Sequence, residues 1–440
     1  MGNAAVRARD RQKLSVIALA VLVCIAVAGV VVLATTGGGS RKSTSGNGTV
    51  TSQAMIGSIG VNVHLSYLDT AYARFPQLEQ RLKALGVRYV RDGACSGCVQ
   101  ENQRLRQLGQ AGIRLDLIMG DPGGQTGKLP QLVNLVRGQL APFVTSVEGP
   151  NEYDNQGDPH WLPRLRAYQT QLYRAIKSDP KLRHIQVLGP SLVRSQSYGQ
   201  LGNMVSSLDA ANLHPYPPSG GPPAANLPAE LRLAAQIAPS KPVFATETGY
   251  RTGGPAEPGN KPVSEQWQGA LVPALALENF RAGIRRSYFY ELVDEKPDPG
   301  GKDPQQHYGL LRQDLSPKPG YTALQNLIAL LGQGGPVTGT PDAPRATARS
   351  LDGSPIHTLT IQRGDGAQVV AIWLTSPHAQ DALTKTGKTH PVQLTLDSRA
   401  AVQVYRPALG RAPQASYKSS TRVSVKLGAD PVLAVIKSGG

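Results

Sequence analysis

The chain has 440 residues, enough for two or three domains, and its composition is ordinary for a folded protein apart from many Gly and Pro and few aromatics. The formal charge is +16, of which about three belong to the first thirteen residues (Arg7, Arg9, Arg11 and Lys13 against Asp10), so the remainder is itself basic. That balance suits an anionic partner such as acidic polysaccharide, a charged cell wall or lipid headgroups, with colloidal solubility as the plain alternative; the absence of a dense Lys/Arg run with interleaved aromatics argues against nucleic acid.

Residues 1–13 read as a short basic cytoplasmic tail. Residues 14–34, LSVIALAVLVCIAVAGVVVLA, carry no charge and are long enough to cross a bilayer as a helix. Basic residues precede the span, which places the N-terminus in the cytoplasm and the bulk of the chain outside. A cleaved signal peptide, giving a secreted protein, would have a shorter apolar region and an A-x-A-like site; Leu33-Ala34-Thr35-Thr36 fits one poorly, so a retained anchor is expected. Residues 35–53, rich in Gly, Ser, Thr and Asn, read as a flexible tether.

Residues 54–335 alternate short apolar runs with helical patterns. The runs are Ile59–Val63, Val87–Arg91, Ile113–Ile118, Phe143–Glu148, Ile185–Leu188, Leu208–Leu213, Val243–Thr246 and Ser287–Tyr290, with helices such as Phe75–Leu85, Trp161–Lys177 and Val263–Gly283 between them. Eight strands with intervening helices predict an α/β (β/α)8 TIM barrel. An open doubly wound sheet would offer a Gly-rich phosphate loop after its first strand, whereas this one runs into His64-Leu65-Ser66-Tyr67. From 340 to 440 the pattern becomes all-β, with His357–Ile361, Gln368–Trp373, Val392–Leu396, Ala401–Tyr405 and Val423–Leu427, and predicts a small antiparallel β-sandwich. With one Trp there, a scaffold packed on the barrel is favoured over a carbohydrate-binding module.

Cys24 lies inside the apolar span, and Cys95 and Cys98 are expected to close a structural disulfide loop in an oxidising compartment. A redox C-x-x-C would want a thioredoxin-like context that is missing, and no second Cys or His pair completes a zinc site; the carboxylate chemistry read below needs no metal and no organic cofactor.

Barrel enzymes build their sites where the strands end. The fourth predicted strand ends in Glu148-Gly149-Pro150-Asn151-Glu152-Tyr153 and the seventh in Thr246-Glu247-Thr248-Gly249-Tyr250. Two glutamates facing each other across a barrel mouth are what glycosidic cleavage needs, one to protonate the leaving oxygen and one to attack or to activate water. Asn-Glu after the fourth strand, His214-Pro215-Tyr216 after the sixth and Thr-Glu at the seventh, in that order, resemble the clan A (4/7 superfamily) glycoside hydrolases. The all-β domain resembles the one that accompanies xylosidase- and glucuronidase-like members.

The resemblance implies a retaining glycosidase with Glu152 as acid/base and Glu247 as nucleophile. Arg91 and Tyr216 would support the nucleophile, Asn151 would bind a sugar 2-hydroxyl, and His214 belongs to the supporting set. Glu148, deeper on the same strand as Glu152, is expected to pair with a buried cation. The clan's tryptophan after strand eight is missing: Tyr290 is the candidate platform, and Glu291 beside it is a candidate for binding a hydroxyl or repelling an acidic sugar. His64, Tyr67, Tyr153, Trp161 and Tyr250 complete the candidate substrate-binding set. The substrate is expected to be a polysaccharide or oligosaccharide of the cell envelope or surroundings, an anionic one included. A silent glycan-binding barrel, a structural envelope protein and a transglycosylase with the same residues are the competing readings.

Overall fold

The structure, a computed structural model, describes residues 49–339, 343–377 and 387–438. Among these no helix is long and apolar enough to cross a membrane; the expected anchor at 14–34 lies outside the described residues.

All eight expected barrel strands are present: β2 (Ile59–Asn62), β3 (Tyr89–Gly93), β4 (Arg114–Ile118), β5 (Val144–Glu148), β6 (Gln186–Leu188), β7 (Ala211–Leu213), β8 (Val243–Thr248) and β9 (Ile284–Phe289). They form one parallel sheet in the order β6-β5-β4-β3-β2-β9-β8-β7. Its two ends meet at the Leu188/Ala210 bridge, leaving the barrel nearly closed. Thus β5 and β8 are the fourth and seventh barrel strands. Gly60 in β2 is required by packing, since a Cβ there would lie 2.5 Å from the Tyr288 ring on β9.

The helices obey the spacing of their apolar residues. In α2 (Phe75–Leu85), following α1 (Ser52–Gly57), the residues Phe75, Leu78, Leu82 and Leu85 form the buried face. Pro76 opens it, and Gly86 closes it in the left-handed conformation at φ 84°, its N–H donating to the Leu82 and Lys83 carbonyls. The outer layer continues with α3 (Val99–Gln110), α4 (Leu129–Leu135), α5 (Trp161–Ser178), α6 (Ser195–Leu201), α7 (Leu227–Ile237), α8 (Glu265–Arg281) and α9 (Pro319–Leu331). Helix α8 is buried on nearly every side, with Trp267 through Asn279 inaccessible, because α9 and β9 pack along it and the second domain meets it at Glu278.

That domain is an all-β sheet of β10 (Ala346–Ser350), β11 (Ile356–Gln362), β12 (Gln368–Leu374), β13 (His390–Tyr405), β14 (Ala415–Leu427) and β15 (Val432–Ser438), which fits a β-sandwich. Strand β12 is buried at every position. Val370, Ile372 and Leu374 enter the domain's own core, while Val369, Ala371 and Trp373 pack into the barrel's. Trp373 Nε1 donates to Glu278 Oε2 of α8 at 2.9 Å, so this Trp pins the domains together rather than facing solvent.

Three sequence expectations change. The runs 392–396 and 401–405 are one strand, because the polar Asp397-Ser398-Arg399 between them continues β13 with register shifts instead of turning. Strands β10 and β15 lie outside the five runs named from the sequence. The end of the predicted tether is structured: β1 (Val50–Thr51) pairs in parallel with Ile361 and Gln362 of β11, and α1 follows, putting Met55 and Ile56 in the core.

Candidate active site

The site is built at the C-terminal ends of the barrel strands. Arg91, on β3 and 2% exposed, organises it. Its Nε donates to Glu148 of β5; one terminal nitrogen donates to Glu247 Oε1 at 2.7 Å and to Asn62 Oδ1 at 2.9 Å, and the other to Asn151 Oδ1 at 2.7 Å. Glu148 is fully buried, and its Oε2 accepts from Asn212 Nδ2 at 2.5 Å. It pairs with a buried cation, and that cation is Arg91.

Beyond Glu148 the chain crosses the mouth to Glu152, held at φ 49°, ψ 36°. A left-handed non-glycine residue costs on the order of 1–3 kcal/mol and needs its surroundings to impose it. Here the Glu152 N–H donates toward the Ser191 carbonyl and Ser191 Oγ, both at 3.2 Å. Glu247 arises differently. The pairing of β8 with β9 slips between Ala245 and Thr248, an irregularity that can re-aim side chains near sites. The neighbours Thr246 and Glu247 both reach partners at the mouth. Tyr216 donates its hydroxyl to Glu247 Oε2 at 2.9 Å.

His214, after β7, joins the two glutamates. Its Nδ1 lies 2.8 Å from Glu152 Oε1 and 3.6 Å from Glu247 Oε2, and its Nε2 lies 3.1 Å from Thr246 Oγ1. Glu152, His214 and Glu247 offer oxygen and nitrogen atoms all within 4.8 Å of one another. The two carboxyls are driven apart in acidity. Burial, aided by the charge of Glu247, raises Glu152 above the usual carboxylate range against the pull of His214. Burial would raise Glu247 too, but the charges of His214 and Arg91, with bonds from Arg91 and Tyr216, hold it below that range. Burial lowers His214, yet the two glutamates outweigh it and the imidazole is raised.

On the side of β2 and β9 lies an aromatic wall. His64 stacks on Tyr67 with ring centroids 4.8 Å apart and meets the edges of Tyr72 and Tyr290. Tyr290 meets Tyr308, and Tyr308 meets Tyr216, so the wall runs to the nucleophile candidate. Glu291 is wholly buried, with Oε2 accepting from Tyr72 at 2.8 Å; burial and Glu295 push its carboxyl well up. Burial, with a smaller contribution from Arg91, lowers His64 to about 4. Glu291, Glu295 and His64 form a second group of cation-capable atoms within 4.8 Å of one another.

The structure therefore brings together Glu152, Glu247, Arg91, Asn151, His214 and Tyr216, with His64, Tyr67, Tyr290 and Glu291 alongside. It does not gather the other three expected aromatics. Tyr250 is 4% exposed and spends its hydroxyl on the Gly221 carbonyl. Trp161 packs, half-buried, against the hydrophobic cluster that holds Tyr153, Leu165 and Leu192. Tyr153 is buried with its hydroxyl on Asp158 at 2.6 Å, on the wall of a separate cleft that Asp121, Gln156 and Arg164 also line. Asn62, Ser191, Asn212, Tyr72 and Glu295 were not singled out by sequence; of these, only Asn212 carries a signal, its inward alternation with His214 along β7. Cys95 and Cys98 are joined by a disulfide ahead of α3.

No family model matches the chain, and no curated protein matches it. Solved structures do. A family 39 glycoside hydrolase from Bacteroides cellulosilyticus aligns at TM-score 0.62 and 15% identity over 88% of this chain and 82% of its own. A family 39 enzyme from Xanthomonas axonopodis pv. citri aligns at 0.53 and 15% over 89% and 95%. A monomeric β-xylosidase from Caulobacter crescentus aligns at 0.53 and 15% over 88% and 97%. The chain has the fold of these glycoside hydrolases. The alignments extend beyond the barrel into the β domain, because either domain alone is too short for such coverage.

Proposed function

We propose that the chain is a retaining glycoside hydrolase acting on a cell-envelope or extracellular polysaccharide, held to the membrane by residues 14–34 with its catalytic domain outside. The observation that carries the mechanism is the separation of the carboxylates. Oxygen atoms of Glu152 and Glu247 within 4.8 Å of each other suit the roughly 5–5.5 Å of retaining enzymes rather than the roughly 6.5–9.5 Å that admits an inverting water. The fold likeness supports the same class of chemistry, and the basic composition favours an anionic polymer.

Glu247, ionised and aimed by Arg91 and Tyr216, attacks the anomeric carbon as the leaving oxygen takes a proton from Glu152. The glycosyl–Glu247 ester removes the negative charge beside Glu152, whose acidity rises, so that it then accepts a proton from water attacking the ester. Asn151, its Oδ1 occupied by Arg91 and Ser191, has its amide hydrogens left for a sugar hydroxyl.

The test is to incubate the chain with neutral and acidic polysaccharides, read released oligosaccharides by mass spectrometry, and follow the anomer by NMR. Glu247→Gln and Glu152→Gln are expected to abolish release, and the first product is expected to keep the substrate's configuration. Release that survives Glu247→Gln within a few-fold, or inversion, would overturn the reading; tight polymer binding without release would favour a glycan-binding barrel.

A further inference from the structure

We infer that Asn212 and Thr246 are positioning residues that fix which nitrogen of His214 carries a proton, so that His214 and Glu152 hold one mobile proton between them. The inference rests on the glycosidase reading above and assigns a function to two residues outside the catalytic pair.

A chain of hydrogen bonds runs from Glu148 through Asn212 and Thr246 to His214, and each link has one hydrogen to place. Glu148 is paired with Arg91 and is a carboxylate, so both of its oxygens accept. The Asn212 atom facing it at 2.5 Å must therefore be the amide nitrogen, which turns Oδ1 toward Thr246. Asn212 Oδ1 and Thr246 Oγ1 are 2.7 Å apart, and of the two only the hydroxyl has a hydrogen to place between them. With that hydrogen spent, Thr246 Oγ1 presents a lone pair to His214 Nε2 at 3.1 Å, and Nε2 must be the N–H. The neutral imidazole is thus left with a bare Nδ1, 2.8 Å from Glu152 Oε1.

Two oppositely written states satisfy that contact, a neutral His214 accepting from a protonated Glu152, or an imidazolium donating to a carboxylate. Both hold the same single proton. Removing it sets a lone pair against a carboxylate, so the pair resists deprotonation and keeps the acid supplied. Freed from Thr246, the imidazole can instead carry its hydrogen on Nδ1 and donate to a Glu152 carboxylate, which favours losing the proton. The charged and titratable groups around the pair are Glu247 on β8, Arg91 on β3, Asp154 after β5, Tyr216 after β7, Tyr198 on α6 and Glu230 on α7. All of them stay in place when one hydroxyl becomes a methyl.

The experiment measures kcat/KM against pH for the full chain in detergent. Thr246→Val is expected to move the basic limb down by about one pH unit, the size of one hydrogen bond to the charged form, and leave the acidic limb set by Glu247 where it was; Thr246→Ser is expected to restore the wild-type profile. An unmoved basic limb in a folded Thr246→Val would overturn the inference. A second measurement reads the ring itself and needs no Thr246 variant. In wild-type chain labelled with ¹⁵N-histidine, the His214 signals, identified by their loss in His214→Gln, are expected above the basic limb to show a neutral ring protonated at Nε2. A neutral ring protonated at Nδ1 would overturn it. Failure of the wild type to cleave any glycan counts against the glycosidase reading, and the tautomer still decides this one.

Discussion

Arg91 is a residue whose removal would be felt twice. It separates two buried carboxylates, Glu148 and Glu247, and also fixes Asn62 and Asn151. Arg91→Met strands both charges, a defect worth about 3–5 kcal/mol of stability, and unfolding by denaturant at neutral pH should register it. Arg91→Lys keeps the charge but lacks the planar fork that reaches several acceptors at once. A loss of about 10²–10³-fold in kcat/KM is expected from it, and kinetics within three-fold of wild type would contradict that placement. Arg91, Asn151, Glu152, His214, Tyr216 and Glu247 were legible in the sequence because each ends or follows one of the predicted apolar runs, near whose ends barrel chemistry is built. Asn62, Ser191 and Asn212 were not, and Thr246 only as the neighbour of Glu247, since their importance comes from what a neighbouring strand or loop sets opposite them. Tyr153, Trp161 and Tyr250 misled for the converse reason: an aromatic beside a motif packs inward as readily as it faces a ligand.

Among the elements, the barrel strands and helices announced themselves by period, and the β domain did so only in part. Strand β13 hides its continuity behind Asp397-Ser398-Arg399, and β15, Val432–Ser438, is a central strand whose apolar run lacks alternation. What joins the two domains could not be read from either pattern: Glu278, on an outer helix of the barrel, accepts from Trp373 Nε1 and bonds His357 and Arg281. Burial opposes its ionisation, but the bonds and charges of His357 and Arg281 win and lower it from 4.5 to about 2. A depressed folded value means stability that is complete above about 4.5 and lost as pH falls toward about 2. Glu278→Gln is expected to cost about 2–3 kcal/mol at pH 7, the worth of charge-assisted buried bonds, and to converge with wild type at pH 2. Denaturant titrations followed by tryptophan fluorescence at both pH values check this, and a cost that is equal at the two would contradict it.

At the scale of the whole molecule, the fold decides which way the site faces relative to the N-terminal segment. The described chain begins at the bottom of the barrel: β1 pairs with β11, α1 places Met55 and Ile56 in the core, and β2 starts two residues later. The candidate catalytic residues sit at the opposite ends of the strands, about 13–20 Å away along strands of four to six residues. With residues 14–34 in the membrane as proposed, the tether would join the barrel at the end opposite the mouth, which would leave the mouth free to open away from the lipid. A polymer outside would then reach the site without passing the membrane. The full chain in liposomes, with the ectodomain side outward, is therefore expected to cleave its polymer with kcat/KM within about three-fold of the same chain in detergent. A loss of ten-fold or more in liposomes that detergent relieves would mean that the mouth faces the bilayer, and would contradict the proposed orientation.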